Sequence, residues 1–454
     1  MWSDERGWQR RWPIALAIAL RLTMWLVMPG ARFESDEASY YQAGITLLRT
    51  GEQDLFWPPL TGWLIAGTAW ALHTVSVPAI RLVWVAMDVG CVAAVATLAR
   101  RLAASVAVDD PTRAARIVVI AATGYAVYLP AISFSQFTTS EVPALFEMLG
   151  VLLLLTRPRI GAAGTAVAGA LTGTLILTRP SLLPLLALFP AWVAWRASWP
   201  DRLRDAVVMV TAGGLVIGAV AGRNWWISGE ATLARNAAYN LYIGNQDLYA
   251  EDLDLFSPRA TPEQIEFRRQ FWSGTLTYPN LPPAELQRAA LTWIAGHPIG
   301  FARRAIGRLA RVFVPRTDVL ELVGGERAAG VFSPMSLALL AAANVQWTCV
   351  LFGGLVGILS LRRRGPALAS LFGVAIAGSL VLCLVAIAKP RYSFVFDPLL
   401  LLGAAVVVSA PREVFAQLTR GERWIVAGTS AFVLWGWAAW LVFAFSSRLA
   451  LAGA

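Results

Sequence analysis

RWPIALAIALRLTMWLVMPGARFESDEASYYQAG, residues 11–44, runs a long apolar stretch straight into three acids, Glu34, Asp36 and Glu37. The apolar half has the length of a helix through a bilayer, which takes roughly 20 residues. The acidic half has two readings. In one, Ser35 or Asp36 caps a helix that runs through Leu47, the acids suit its first turn, and Gly51 ends it. In the other, the carboxylates serve chemistry beside the membrane.

The apolar half is repeated along the chain. Of 454 residues, 57% are hydrophobic and only 15% charged, and the mean hydropathy is +0.59. An ordinary soluble domain is far less apolar. The expected fold is therefore an all-α polytopic membrane protein of about 11 transmembrane helices, at roughly 12–29, 77–99, 116–132, 142–156, 161–178, 180–196, 205–222, 336–361, 367–388, 394–410 and 423–446.

The net charge of +10 falls largely in short gaps between these runs, where nucleic acid would not reach. Arginine clusters at 6–11, 100–116, 157–159, 196–204, 362–364 and 412–423 share one side of the membrane if the N-terminus is cytoplasmic. Residues 1–454 then form a single integral membrane domain with two large outer loops, 30–76 and 223–335. The first holds the acidic stretch and WPPLTGWLIAGTAWALH (57–73), a piece that lies in the interface or re-enters, since crossing would reverse every later arginine cluster. The second holds HPIGFARRAIGRLARVF (297–313), where Arg303, Arg304, Arg308 and Arg311 share much of one face of an expected interfacial helix. Cys91, Cys349 and Cys383 lie singly inside apolar runs, and His73 and His297 are far apart. Neither a disulfide framework nor a Cys/His metal site is expected.

Polar groups at membrane depth are costly, so those left over each need a partner or a task. Glu141 opens a span in SQFTTSEVPAL (135–145), and Arg179 stands at the outer turn LTRPSLL (177–183). Arg223 and Asn224 leave a span in GRNWW (222–226), and the lone lysine, Lys389, stands with Arg391 and Tyr392 in AKPRYSF (388–394). These cations either pair with the acids and snorkel to headgroups or converge on them as a site. Carboxylates and several cations outside the membrane suit a donor whose leaving group is a lipid-linked phosphate: guanidinium groups neutralise the departing charge, and one carboxylate takes the proton of an acceptor hydroxyl.

ALRL, DEASYY, PPLTGWL, SQFTTSEVP, LTRP, RNWWISG, NLYIGN, HP and RY, in that order over residues 20–400, resemble the GT-C glycosyltransferases, among them protein O-mannosyltransferases and lipid A aminoarabinose transferases. The resemblance implies a multi-helix membrane fold and an extracytoplasmic active site, and the Ala- and Arg-rich, Lys-poor composition suggests a bacterial cytoplasmic (inner) membrane. It implies a polyprenyl-phosphate sugar donor and an envelope glycan, lipid or protein acceptor. Asp36 matches the family's catalytic base, Glu37 is its neighbour, and Glu141 matches a second acid. Arg179, Arg223 and Arg391 match arginines that handle the lipid phosphate or order the loops, and Asn240, Tyr242 and Asn245 match a segment near the acceptor. Asn224, Lys389 and Tyr392 join the expected substrate-binding set. The aminoarabinose transferases carry Glu-Lys before the PP pair, where this chain has Phe56 and Trp57, so a divalent cation, Mg or Mn, has no residue assigned to it here. Two rival readings stay open: a ligase or polymerase using diphosphate-linked glycans, and a flippase or transporter of lipid-linked sugars.

Overall fold

The computed structural model describes residues 3–27, 35–196, 201–247, 255–256, 258–273, 281–323 and 333–452. Among them every regular element is a helix. In chain order these are α1 (Ser3–Val27), α2 (Ser35–Thr50), α3 (Pro59–Ala71), α4 (Val77–Val106), α5 (Pro111–Ala126), α6 (Leu129–Phe134), α7 (Glu141–Leu155), α8 (Gly161–Thr178), α9 (Leu185–Arg196) and α10 (Asp201–Ser228). There follow α11 (Arg235–Gly244), α12 (Pro262–Ser273), α13 (Pro283–Gly296), α14 (Pro298–Val312), α15 (Pro334–Arg364), α16 (Pro366–Val385), α17 (Asp397–Ser409), α18 (Pro411–Gln417) and α19 (Arg420–Ala452).

Six helices among the described residues are long and apolar enough to cross a membrane: α4, α8, α10, α15, α16 and the 420–446 part of α19. A seventh span results if α17 and α18, bent by 105° at their junction, are one. Of the remaining expected spans, 12–29 lies in the continuous 25-residue α1 and the others are shorter or interrupted helices, with proline the reason at two of them. Pro180 and Pro184 turn the run 180–196 into a 3-10 turn and the twelve-residue α9. Pro130 begins α6 after a break that ends α5 at Ala126. A ring without an N–H suits a first helical turn and not a helix interior.

The chain divides into two compact units. The first comprises Met1–Ala234, Arg316–Gly378 and Phe394–Arg423; the second comprises Arg235–Pro315, Ser379–Ser393 and Trp424–Ala454. In the first, α4 packs on α5 and α7, α8 on α10, α15 on α17, and α2 on α3. Gly44 lets α2 and α3 approach: a Cβ there would stand 2.7 Å from Ile65. Two of the charges inside the first expected spans pair with each other. Arg21 donates to Asp88, its Nη1 reaches Ala126 O at 2.8 Å, and Tyr125 donates to Asp88 Oδ1 at 2.6 Å, all buried. This ties α1, α4 and α5 together where an unpaired charge would be expensive.

Candidate active site

The first turn of α2 presents its two acids differently. Glu37 is buried and accepts from Arg81 of α4 through Nε at 2.9 Å and Nη2 at 2.6 Å. It also accepts from Thr138, from the backbone N–H at 2.9 Å and from Oγ1 at 3.1 Å. Three of these bonds converge on Oε1 and one on Oε2, so both carboxylate oxygens are engaged. Thr138 belongs to the turn between α6 and α7, which α4 grips a second time through Trp84 Nε1 on Thr139 O at 2.8 Å. Glu37, expected beside Asp36 as a reacting acid, is thus spent on holding α2, α4 and the 135–140 turn in register.

Asp36 is half-buried, one residue earlier. Its charge and that of Glu141 both act on Tyr40, whose phenol burial and these two carboxylates raise above its usual range. Ser140 hydrogen-bonds the same phenol, and the Arg179 guanidinium acts on it in the opposite sense. The carboxylates of α2 and α7 thus act on the same phenol. Glu141 accepts from Arg179 Nη1 at 3.3 Å, both side chains being buried. The pairing follows from local structure: Glu141 opens α7, while Arg179, in extended conformation ahead of Pro180, ends α8.

Arg223, near the end of α10, donates to Gln53 Oε1 and, at 3.4 Å, to Asn224 Oδ1. Asn224 is buried and turns its Nδ2 onto Thr232 O at 2.8 Å. Gln53 lines a cavity of about 660 Å³ between α2 and the segment that follows it. The first unit thus brings together Asp36, Glu37, Glu141 and Arg179, with Arg223 and Asn224 on the Gln53 segment.

In the second unit, Tyr239 and Tyr242 pack with Ile243 against Ile387 and Tyr392, so the expected NLYIGN and KPRY segments adjoin. Asn240 is half-buried on α11, and Lys389 and Arg391 belong to the turn at the end of α16. Asn245, expected near the acceptor, is buried, and its Nδ2 donates to Leu241 O and Val385 O, both at 2.8 Å. Its amide is committed to packing. Arg308 completes the joint: its guanidinium donates to Leu384 O at 3.1 Å, Val385 O at 3.0 Å and Gly244 O. Those are orphan carbonyls at helix C-termini, which a basic side chain satisfies well. Gly244 must be glycine, because a Cβ would collide with Ala386 O. The basic face expected on α14 is therefore divided. Arg308 is buried, Arg304 lies over the Trp293 ring at 4.2 Å, and Arg303 lies over Phe256 at 5.6 Å.

Sequence reading missed Arg81, Tyr40, Gln53, the buried role of Arg308, and one further cluster. Arg316 pairs with Asp397 and, at 3.1 Å, with Asp318, and its guanidinium lies 4.3 Å over Trp347. Tyr128 donates to Asp397 at 3.0 Å and Ser133 to Asp318 O at 3.2 Å, which fixes α6 ahead of the Thr138 turn. An arginine directly before a Thr-Asp pair, with a second Asp at the start of a later apolar run, was the available signal.

Among the described residues no group of three or more His, Cys, Asp and Glu side chains is placed to hold a metal ion. The donor set does not fit Mg or Mn well: Glu37 is engaged on both oxygens by Arg81 and Thr138, and Glu141 faces Arg179, whereas hard cations take about six oxygens.

No protein-family model matches the sequence, and no curated protein matches it. Solved structures similar to the chain include the oligosaccharyltransferase of Archaeoglobus fulgidus in its apo form, at 14% identity and a TM-score of 0.47, covering 96% of this chain and 56% of that one. The same enzyme tethered to an acceptor peptide containing the NVT sequon is similar at 13% identity and a TM-score of 0.43, with coverage of 96% and 55%. ArnT of Cupriavidus metallidurans, also apo, is similar at 18% identity and a TM-score of 0.36, covering 89% of this chain and 78% of that one. The chain spans little more than half the length of the oligosaccharyltransferase. Both proteins are GT-C glycosyltransferases, the group that the motif order resembles.

Proposed function

We propose that this chain is an inverting glycosyltransferase that moves a sugar from a polyprenyl-phosphate donor to an acceptor hydroxyl on the extracytoplasmic side of a bacterial inner membrane. The observation that carries the reading is the division of labour in the first turn of α2. Glu37 is locked by Arg81 and Thr138, which anchors the helical turn that carries Asp36, and the charges of Asp36, Glu141 and Arg179 all act on Tyr40. A base on a rigid element is positioned for proton transfer.

The step is a single displacement. The acceptor oxygen attacks the anomeric carbon as its proton passes to the Asp36 carboxylate, and the bond from that carbon to the phosphate oxygen breaks. The leaving phosphate keeps the electron pair, and its growing charge is met by guanidinium, with Arg223 as the group for that task. Glu37 and Arg81 act as positioning residues. The full topology belongs to the same proposal: about 11 spans, an N-terminus in the cytoplasm, and residues 30–76 and 223–335 outside.

The experiment is mass spectrometry of envelope glycans, lipids and glycoproteins from cells with and without the protein, and from cells carrying Asp36→Asn. A glycan that disappears in both the deletion and the Asp36→Asn strain supports the reading. Identical profiles in all three sink it.

A further inference from the structure

The cavity beside α2 has a lining that the catalytic step does not use. Ser39, Gln42 and Thr46 supply one wall from a single face of the helix, at spacings of three and four. Gly51, at φ +75°, turns the chain back after α2, so that Glu52, Gln53, Asp54 and Trp57 form the facing wall. At about 660 Å³ the space is in the range of a small-molecule site, roughly 300–1,000 Å³.

The chemistry of that lining is selective. Two carboxylates are strong acceptors, and Gln42 brings both a donor and an acceptor. Gln53 accepts from Arg223 on Oε1, while its buried Nε2 has no hydrogen-bond partner among the described residues. An unpaired buried N–H₂ is costly, and an oxygen brought to this wall would relieve that cost. Trp57, packed against Tyr40 with ring centroids 4.7 Å apart, gives the cavity an aromatic surface held in place. Donors, acceptors and one fixed aromatic surface together match a pyranose, whose hydroxyls both give and take hydrogen bonds and whose C–H face is apolar. Glu52 and Asp54 repel an anion, so the phosphate end of a donor does not belong here.

We infer that this cavity is a subsite for a neutral or amine-bearing sugar residue of the acceptor, read by Gln42, Glu52, Gln53, Asp54 and Trp57. It rests on the glycosyltransferase reading only for the word acceptor. Asp36 and Ser39 are three apart on α2, which puts the cavity about one helical turn, roughly 5 Å, from the proposed base.

The test is saturation-transfer NMR on the full-length protein in nanodiscs, with methyl glucoside, methyl mannoside, methyl N-acetylglucosaminide and glucosamine as probes and glucose 6-phosphate as the anionic control. At least one uncharged or amino sugar should bind saturably, at least tenfold more tightly than the phosphate. Gln42→Ala and Glu52→Ala, both at exposed side chains, should each weaken that binding at least fivefold, and Trp57→Ala more. Asp36→Asn should leave it intact. Failure of every probe to bind saturably overturns the subsite, as does equal binding of the phosphate or unchanged binding in the Gln42 and Glu52 variants. A parallel assay of polyprenyl-phosphate sugar consumption separates the two ideas: donor consumed without sugar binding ends the subsite alone, and sugar bound without donor consumption ends the glycosyltransferase reading alone.

Discussion

Glu37 and Arg81, 44 residues apart in sequence, form a buried two-point ion pair, and the same carboxylate holds Thr138 by its backbone and its hydroxyl. Removing one partner strands the other charge where water does not reach. Glu37→Gln or Arg81→Ala should therefore destabilise the first unit by about 3–5 kcal/mol. The double variant Glu37→Gln/Arg81→Gln should recover part of that loss. Thermal unfolding of the detergent-purified proteins reads the effect, and an unchanged midpoint in both single variants would remove the positioning role.

Arg308 makes an equivalent prediction in the second unit. Its guanidinium serves the carbonyls of Leu384, Val385 and Gly244 at once, and a lysine ammonium cannot span them with the same planar fork. Each buried acceptor left alone costs about 1–3 kcal/mol, so Arg308→Ala should loosen the joint by about 3 kcal/mol. Amide exchange in residues 235–244 and 379–393 should then accelerate by roughly 100-fold, with Arg308→Lys only partly protective. Exchange at the wild-type rate would contradict this account of the fold.

Topology is tested by thiol labelling in a background without Cys91, Cys349 and Cys383. Asn245 is unsuited to this because it is buried, whereas Gln287 on α13 and Arg363 at the end of α15 are exposed. An impermeant reagent added to whole cells should modify Gln287→Cys and spare Arg363→Cys. The reverse pattern would invert the orientation and place Asp36 in the cytoplasm.

Much of the fold could be read from the sequence because apolar length is a local property. The expected spans at 77–99, 161–178, 205–222, 336–361 and 367–388 each coincide with one helix, extended at most by a few turns. At 116–132 and 180–196 the apolar run is broken into shorter helices beside a proline, a feature that hydropathy does not register. At the site, Asp36, Glu141 and Arg179 were visible as charges out of place. Their partners were not. Arg81 sits inside an apolar span and meets Glu37 only through the fold, and Arg308 shows helical periodicity like any basic face until its carbonyl acceptors are seen. Sequence spacing carries no signal for contacts of that separation.

Arg223 links the proposed phosphate chemistry to the cavity wall through Gln53. Arg223→Ala should weaken both donor affinity and turnover, because the phosphate is charged before transfer and gains charge during it. Gln53→Ala should affect donor affinity less, since it removes the neighbour and leaves the cation. Donor titrations followed by single-turnover transfer check both, and equal behaviour of wild type and Arg223→Ala would assign the arginine to structure alone.

Asp36→Asn is the decisive substitution for the catalytic reading, because the two accounts of the acidic stretch predict different magnitudes. If the carboxylate only favours the first turn of α2, its loss costs about 0.3–1 kcal/mol of helix–dipole interaction, and the folded protein turns over normally. If it accepts the acceptor's proton, transfer should fall by about 100-fold or more, within the 10²–10⁴ range that general-base catalysis contributes. The folded fraction should barely change, since Glu37 and its bonds to Arg81 and Thr138 remain. Single-turnover transfer in nanodiscs, at saturating lipid-linked donor and with the folded fraction measured on the same sample, separates the accounts. A rate within threefold of wild type would leave Asp36 as a helix-starting residue and move the search for the base to Glu141.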